Sequence, residues 1–492
     1  MEHLAENLRS IGISVAHITP EIMLIAGIVV LVIAGLFKSG KLLLSILSSV
    51  FVLASLFACC KQITETAQYS LFNDMLIGDS FGAYIRVLLD VATLFTIWMS
   101  WANSRLTTRL SEYFVVLTGT LLGAHFLSMS VNFIAIFISL ELVSLGSYVL
   151  TGYLFDRRAA EGSFKYFVFG SVASAVMLYG FTVLYGLSGS LSFNNAQFTS
   201  VLSTSHGPLM AIASIMALSG FLYKMAAAPM HPWAPDVYEA APMPIVAYFS
   251  VAPKLAGLAV LIRFSQALPE PAGLELFSWQ NVIAFIALLS ITVGNFAALW
   301  QQNPKRLMAY SSIAQAGFLL IGVVAIGQDG LRFALFYASV YLVANFLVFV
   351  YLQFYESKGI ETMESFSGIG KSSVVQSLFL LVGFIALTGL PPTAGFTSKL
   401  FIFSSLWEAY SASEKPLLLW LLIFGLLNTV VSLFYYIRIP YFAFIRPGSG
   451  NLQTNFLTVE NLFGLVIVVV VLGLFFNPGV LMGWINKINF VL

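Results

Sequence analysis

The sequence predicts an all-α polytopic membrane protein with about 14 transmembrane helices. Three observations predict it. Only 9% of the 492 residues are charged and 59% are hydrophobic, whereas a soluble domain carries roughly 25% charged residues. The apolar runs are continuous over about 20 residues, the length at which a helix crosses a bilayer. They do not alternate in the ~10-residue segments of an outer-membrane barrel. A soluble enzyme, a coiled coil and a disordered chain are thereby excluded. A net charge of +1 with no basic block excludes a nucleic-acid-binding protein. Cys59 and Cys60 are adjacent, a spacing that suits neither a structural disulfide nor a metal site.

Hydropathy places the elements in order. The first apolar run follows Glu2, Glu6 and Glu21 rather than a basic start, so a permanent first helix is expected instead of a cleavable leader. Helices one to five fall at about 19–37, 41–60, 80–101, 112–129 and 131–153. Helices six to eight fall at about 163–187, 209–230 and 243–265. Helices nine to eleven fall at about 278–300, 307–327 and 331–355. The twelfth, at about 374–409, reads as interrupted, and the last two lie at about 416–438 and 458–476.

Lysine and arginine set the orientation. Lys38, Lys41, Arg105, Arg109, Arg157, Arg158, Lys165, Lys305, Arg306, Lys358, Lys371, Arg438 and Arg446 fall on one side. Arg9, Lys61, Arg263, Arg332, Lys415 and Lys487 fall on the other. The larger set marks the cytoplasmic face, which puts both termini on the periplasmic side.

A few charges remain inside the predicted helices, where each costs at least ~2.5–3.5 kcal/mol at mid-bilayer. Five positions stand out: Glu141 in helix five, Lys224 in helix seven, Lys254 in helix eight, Lys399 in helix twelve, and the Arg86/Asp90 pair in helix three. A lysine can instead snorkel to the interface, which a short carboxylate stem does less well. Arg86 and Asp90 stand at i, i+4, the spacing of a local ion pair on one helix face. His125 reads as a hydrogen-bonded packing residue. His231 reads either as a relay or as a loop residue capping a broken helix. His3, His17 and His206 carry no signal.

Lys224 stands in Gly220-Phe-Leu-Tyr-Lys-Met-Ala-Ala-Ala-Pro229, followed by Met-His-Pro-Trp-Ala-Pro235. Lys399 follows Gly389-Leu-Pro-Pro-Thr-Ala-Gly395. Proline breaks a helix, and freed backbone groups are tolerated at membrane depth only inside protein or beside a hydrated cavity. Paired broken helices point to a transporter's central site. Lys224 and Lys399 are 175 residues apart, and Glu141 and Gln315 are 174 apart. Each offset spans five helices, and an odd number inverts the second copy. The predicted organisation is therefore helices one to three (1–111), a first five-helix repeat (112–265), a second, inverted repeat (266–438), and helix fourteen with the tail (439–492).

A buried glutamate and lysine stabilise each other's charge, so opening and closing the pair would move a proton. At ~7 Å and an effective dielectric of ~20 the pair is worth about 2.4 kcal/mol. Moving one proton against ~150 mV takes about 3.5 kcal/mol. One pair falls short, whereas a row of Glu141, Lys224, Lys254 and Lys399, with His231 between neighbours, could suffice. The sequence offers no iron–sulfur or haem ligand set and no dinucleotide fingerprint after a strand. Electron transfer, if relevant, belongs to other subunits.

Four stretches carry a resemblance: Leu140-Glu-Leu-Val-Ser-Leu-Gly-Ser-Tyr-Val149; Lys224 through Pro229-Met-His-Pro-Trp-Ala-Pro-Asp-Val-Tyr-Glu239 with Ala241-Pro242; Asn303-Pro-Lys-Arg-Leu-Met-Ala-Tyr-Ser-Ser-Ile313; and Gly389-Leu-Pro-Pro-Thr-Ala-Gly-Phe-Thr-Ser-Lys399. With them the chain resembles, over essentially its whole length, the antiporter-like proton-pumping subunits of NADH-quinone oxidoreductase (respiratory complex I). The Pro-Asp-Val-Tyr-Glu run and a lysine at 399, where a sister branch has glutamate, select one branch. The resemblance implies that Glu141 pairs with Lys224, that Lys254 is the central lysine, that Lys399 is the exit lysine, and that His231 follows the broken seventh helix. It implies no cofactor in this chain, membrane subunits of the complex as partners, quinone reduction elsewhere, and the bacterial inner membrane as location. One departure stands out: the family commonly has histidine after Tyr-Ser-Ser-Ile, where this chain has Ala314-Gln315. Rival readings are a subunit of a multi-subunit cation/proton antiporter without redox partner, and a structural membrane spacer.

Overall fold

The computed structural model describes residues 11–12, 14–64, 67–204, 207–274, 277–325, 327–448, 452 and 458–490. His3, Arg9 and His206 lie outside the described residues, as do both chain ends.

The helices are α1 (Thr19–Leu36), α2 (Lys41–Ile63), α3 (Ser80–Ala102), α4 (Leu110–Met129), α5 (Phe133–Thr151), α6 (Arg157–Ser188), α7 (Gly207–Met225) and α8 (Met243–Ala267). They continue as α9 (Trp279–Leu299), α10 (Pro304–Val324), α11 (Gln328–Ser357), α12 (Val374–Thr388), α13 (Ala394–Ser413), α14 (Pro416–Tyr436) and α15 (Val459–Phe476). Among the described residues, thirteen helices are long and apolar enough to cross a membrane. The predicted twelfth span is the broken pair α12 and α13. Short helices at Ala196–Thr204, Ala234–Ala240, Arg438–Phe444 and Gly479–Ile485 lie between or after the long ones.

Local chemistry sets the helix ends. Asn132 accepts the backbone N–H of Ile134 at 2.9 Å, and Asp156 accepts that of Ala159 at 2.7 Å. Each satisfies an orphan donor at a helix start. Asn303 does the same for α10, with Pro304 in the first turn, where its missing N–H costs nothing. The Asp156 cap starts the sixth helix six residues earlier than hydropathy places it, because Arg157 and Arg158 hide the start from an apolar count.

A small antiparallel hairpin, β1 (Tyr69–Leu71) with β2 (Leu76–Gly78), was not expected. Phe72, Asn73 and Asp74 turn in the left-handed region, and Ser70 hydrogen-bonds Asp74 across the turn. Three-residue strands are too short to register as alternation.

The chain divides into two compact units, Met1–Met225 with Ala252–Trp279 and Lys487–Leu492, and Ala226–Val251 with Gln280–Asn486. In the first, α2 packs on α3, α4 on α5 and α6 on α7. In the second, α11 packs against α12, α13 and α15. The apolar stretch of α8 is wholly buried, whereas α1, α14 and α15 are about 28% buried and present Val, Ile and Leu outward. Such outward apolar surface suits lipid.

The starts of α4 to α8 precede those of α9, α10, α11, α12 and α14 by 169, 171, 171, 167 and 173 residues. The 175-residue match of the two lysines needs correction. Lys224 lies in the last turn of α7, before its break, whereas Lys399 lies in the second turn of α13, after its break. They are not equivalent positions.

Candidate functional site

The breaks build the site. α7 ends at Met225, and Ala226 takes a positive φ of 53°, a conformation alanine rarely adopts. The Ala228–Pro229 bond is cis, and the N–H of Ala228 donates to Ser290 Oγ at 2.9 Å. α12 ends at Thr388, the Gly389 that follows has a φ of 85° that favours glycine, and the Pro391–Pro392 bond is cis. A Cβ on Gly389 would also stand 2.6 Å from Lys399 Cδ.

In the first unit Lys224 is fully buried, and its ammonium has no hydrogen-bond acceptor among the described residues. It faces the rings of Tyr166, Tyr148 and Tyr223 at 5.4, 5.9 and 5.9 Å. Such contacts are worth ~0.5–2 kcal/mol each and replace only part of a lost hydration shell. Tyr223 is fixed by donating to the carbonyl of Tyr166 at 2.7 Å. Glu141 makes no direct ion pair with this cation. Its Oε1 instead accepts from Ser174 Oγ at 2.5 Å. Lys254, 1% exposed, donates to the carbonyl of Met225, the last residue of α7. A broken helix leaves such carbonyls orphaned, and a buried ammonium satisfies one.

In the second unit Lys399 makes the corresponding contact. Its Nζ donates at 2.8 Å to the carbonyl of Thr388, the last residue of α12, and stands 4.3 Å from the ring centre of Phe318. Gln315 braces the same helix end. Its Nε2 donates to the Leu387 carbonyl at 3.1 Å and to Tyr436 Oη at 3.2 Å, and Oε1 accepts from Tyr337. His231 lies half-buried in the turn after α7, its carbonyl accepting the N–H of Ala234 at 3.0 Å. Its Nδ1 has no hydrogen-bond partner among the described residues. Snorkelling is excluded for Lys224, Lys254 and Lys399, which are at most 4% exposed.

Two readings of the charges are corrected. Arg86 and Asp90 do not pair. Arg86 Nη1 meets Glu21 Oε1 at 3.0 Å, and Asp90 meets His125 Nε2 at 3.2 Å and Ser55 Oγ at 3.0 Å. The i, i+4 spacing permits a pair, but partners on other helices win. Arg263, grouped with the charges that set orientation, is instead 2% exposed in α8 and is held bidentately by Asp79 at 2.7 and 2.8 Å. Glu21 lies in the first turn of α1, within the predicted first helix, and is fully buried.

Sequence reading also missed what two of the motifs do. Asp236 and Glu239, of the Pro-Asp-Val-Tyr-Glu run, both accept from Arg306 Nη1, at 2.7 and 2.9 Å. Lys305 pairs with Glu356 at 2.8 Å and reaches the carbonyl of Ala241 at 3.2 Å. The motif of the broken seventh helix is thus tied to the start of α10. Opposite charges in two otherwise charge-poor motifs were the available signal.

The profile of the family described as NADH:quinone oxidoreductase/Mrp antiporter, TM, matches residues 130–431. NADH-quinone oxidoreductase subunit N 2 of Chloroherpeton thalassium is 37% identical over 83% of this chain and 81% of its own. Subunit N of Chlorobium chlorochromatii is 34% identical over 94% and 93%. A chain of respiratory complex I from Thermus thermophilus, solved with bound aureothin, is 26% identical and superposes with a TM-score of 0.80 over 96% of this chain and 100% of its own. A chain of the Mrp complex from Dietzia, 15% identical, shares the fold with a TM-score of 0.81 over 96% of each chain.

Fold and site define an antiporter-like polytopic membrane protein with broken helices closed by buried lysines. The chain belongs to the NADH:quinone oxidoreductase/Mrp antiporter family, among its NADH-quinone oxidoreductase subunit N members.

Proposed function

We propose that this chain translocates protons as the antiporter-like membrane subunit N of an NADH-quinone oxidoreductase, with electron transfer from NADH to quinone carried out in other subunits. The observation that carries this reading is a fully buried Lys224 with no hydrogen-bond acceptor among the described residues, while the Glu141 carboxylate is engaged by Ser174. A static ion pair would hold the carboxylate against the ammonium, because a buried charge is costly unless paired. Here the carboxylate is parked on Ser174, so the pair can close and open.

In this reading Glu141 sets the charge of Lys224, while Lys254 and Lys399 hold protons at the two helix breaks. His231 accepts protons in the turn after α7. Gln315 cannot titrate and orders its neighbours instead. The chain sits in the bacterial inner membrane with both termini periplasmic, beside sister antiporter-like and small membrane subunits, and holds no cofactor of its own. Residues 112–265 and 266–438 act as two inverted repeats.

The deciding experiment is proton pumping by the assembled complex in vesicles. Lys254→Ala and Lys399→Ala are expected to lose pumping, and unchanged pumping in both would leave only a membrane spacer. NADH-driven pumping separates this reading from a cation/proton antiporter without redox partner.

A further inference from the structure

We propose that Glu21, His125 and Asp90 form a buried proton-binding site in the first four helices, joined through Arg86 to a small cleft lined by His17, Gln62, Tyr69, Asp79 and Arg86. Its ligand is a proton, and none of its three residues is among those of the proposed lysine row.

The geometry requires a labile proton. His125 is fully buried in α4, with Nδ1 at 2.9 Å from Glu21 Oε1 and Nε2 at 3.2 Å from Asp90 Oδ1. A neutral imidazole donates from one nitrogen only. With a carboxylate oxygen at each, either both nitrogens are protonated or one carboxyl carries the proton. Both arrangements hold one proton more than neutral histidine between two carboxylates.

Charge counting gives the same answer. Asp79 is neutralised by Arg263, and Glu21 by Arg86. Asp90 and His125 remain. With neutral histidine the cluster would bury an uncompensated negative charge, which is strongly disfavoured away from water. One bound proton removes that charge. Ser55, Gln62 and the thiols of Cys59 and Cys60, all of α2, also face the cluster.

Two further observations favour an exchanging site over a static tie. Glu21 Oε2 is buried without a hydrogen-bond partner among the described residues, which leaves an acceptor open. Arg86, which holds Glu21, also lines the cleft and donates to Gln62 Oε1 at 2.7 Å. The donors do not converge on one point that could hold a metal ion among the described residues, because the carboxylates sit at opposite nitrogens of one ring.

The test is infrared difference spectroscopy of the assembled complex in lipid nanodiscs, titrated from about pH 5 to 9, the range around histidine's ordinary titration. The wild type minus His125→Gln difference is expected to contain a titrating carboxyl or imidazolium band, lost in the variant. Identical titrations in wild type and His125→Gln overturn the site. Should His125→Gln not assemble, Ser55→Ala gives a second reading. It removes the hydroxyl that stabilises the Asp90 carboxylate, so the proton should be held to higher pH. An unshifted midpoint in Ser55→Ala overturns the site as well.

Discussion

Lys399 donates to the backbone carbonyl of Thr388, eleven residues earlier and across the break between α12 and α13. A buried ammonium thus closes a helix end that would otherwise leave a carbonyl orphaned at membrane depth. Lys254 does the same for Met225 at the end of α7. Arginine keeps both the donor and the cation over Phe318, whereas glutamate sets a carboxylate against a carbonyl oxygen and the negative face of a ring. Lys399→Arg is expected to keep assembly and part of the pumping, with Lys399→Leu and Lys399→Glu both well below it. Pumping in inverted vesicles, ranked against complex content, checks the order.

Removing the ammonium of Lys254 should loosen the turn after α7. A charge-assisted hydrogen bond is worth about 1.5–3 kcal/mol, so Lys254→Met is expected to raise amide exchange at Ala226–Met230 by about ten-fold or more. Hydrogen–deuterium exchange of the assembled complex reads this. Exchange equal to wild type would mean that the contact holds nothing.

Glu141→Gln keeps an oxygen that can accept from Ser174 while removing the charge that acts on Lys224. Assembly should be retained and pumping lost. Ser174→Ala should do far less, because a neutral donor contributes only about 0.5–1.5 kcal/mol. Comparable losses in both variants would mean that the hydrogen bond matters and the charge does not.

Gln315→Leu leaves Tyr337 Oη and the Leu387 carbonyl without their partner. Each buried unsatisfied group costs about 1–3 kcal/mol. The thermal midpoint of the complex should fall measurably, and Gln315→His should restore part of it by supplying a donor and an acceptor in the same place.

Arg306 shares its charge between Asp236 and Glu239, all three about one-third exposed. At such exposure a single pair is worth at most about 1 kcal/mol. Asp236→Asn or Glu239→Gln alone should be tolerated, and the double variant should lower stability more at low salt than at high salt. Chemical denaturation at two ionic strengths measures the difference.

Most of the spans were legible because apolar length is a one-dimensional signal. The breaks at Pro229 and Gly389–Thr393 were legible because proline and glycine mark them locally. Glu141, Lys224, Lys254 and Lys399 stood out because a charge in an apolar run is costly wherever it points. Pairing was not legible. Asp90 could not announce that it faces His125 rather than Arg86, four residues away on its own helix, nor could Arg263 announce Asp79. Those choices depend on which helices become neighbours. The 175-residue match of two lysines failed for the same reason, since chain distance does not say on which side of a break a side chain stands.

The tyrosine cage around Lys224 has a consequence for timing. Three ring faces steady a cation, yet none can receive a proton. Under the proposed function, a proton leaving this ammonium waits until water enters the cage or the side chain swings toward Glu141. That reading puts the wetting or rearrangement of a small aromatic chamber, walled by Tyr148 and Tyr166, ahead of each release.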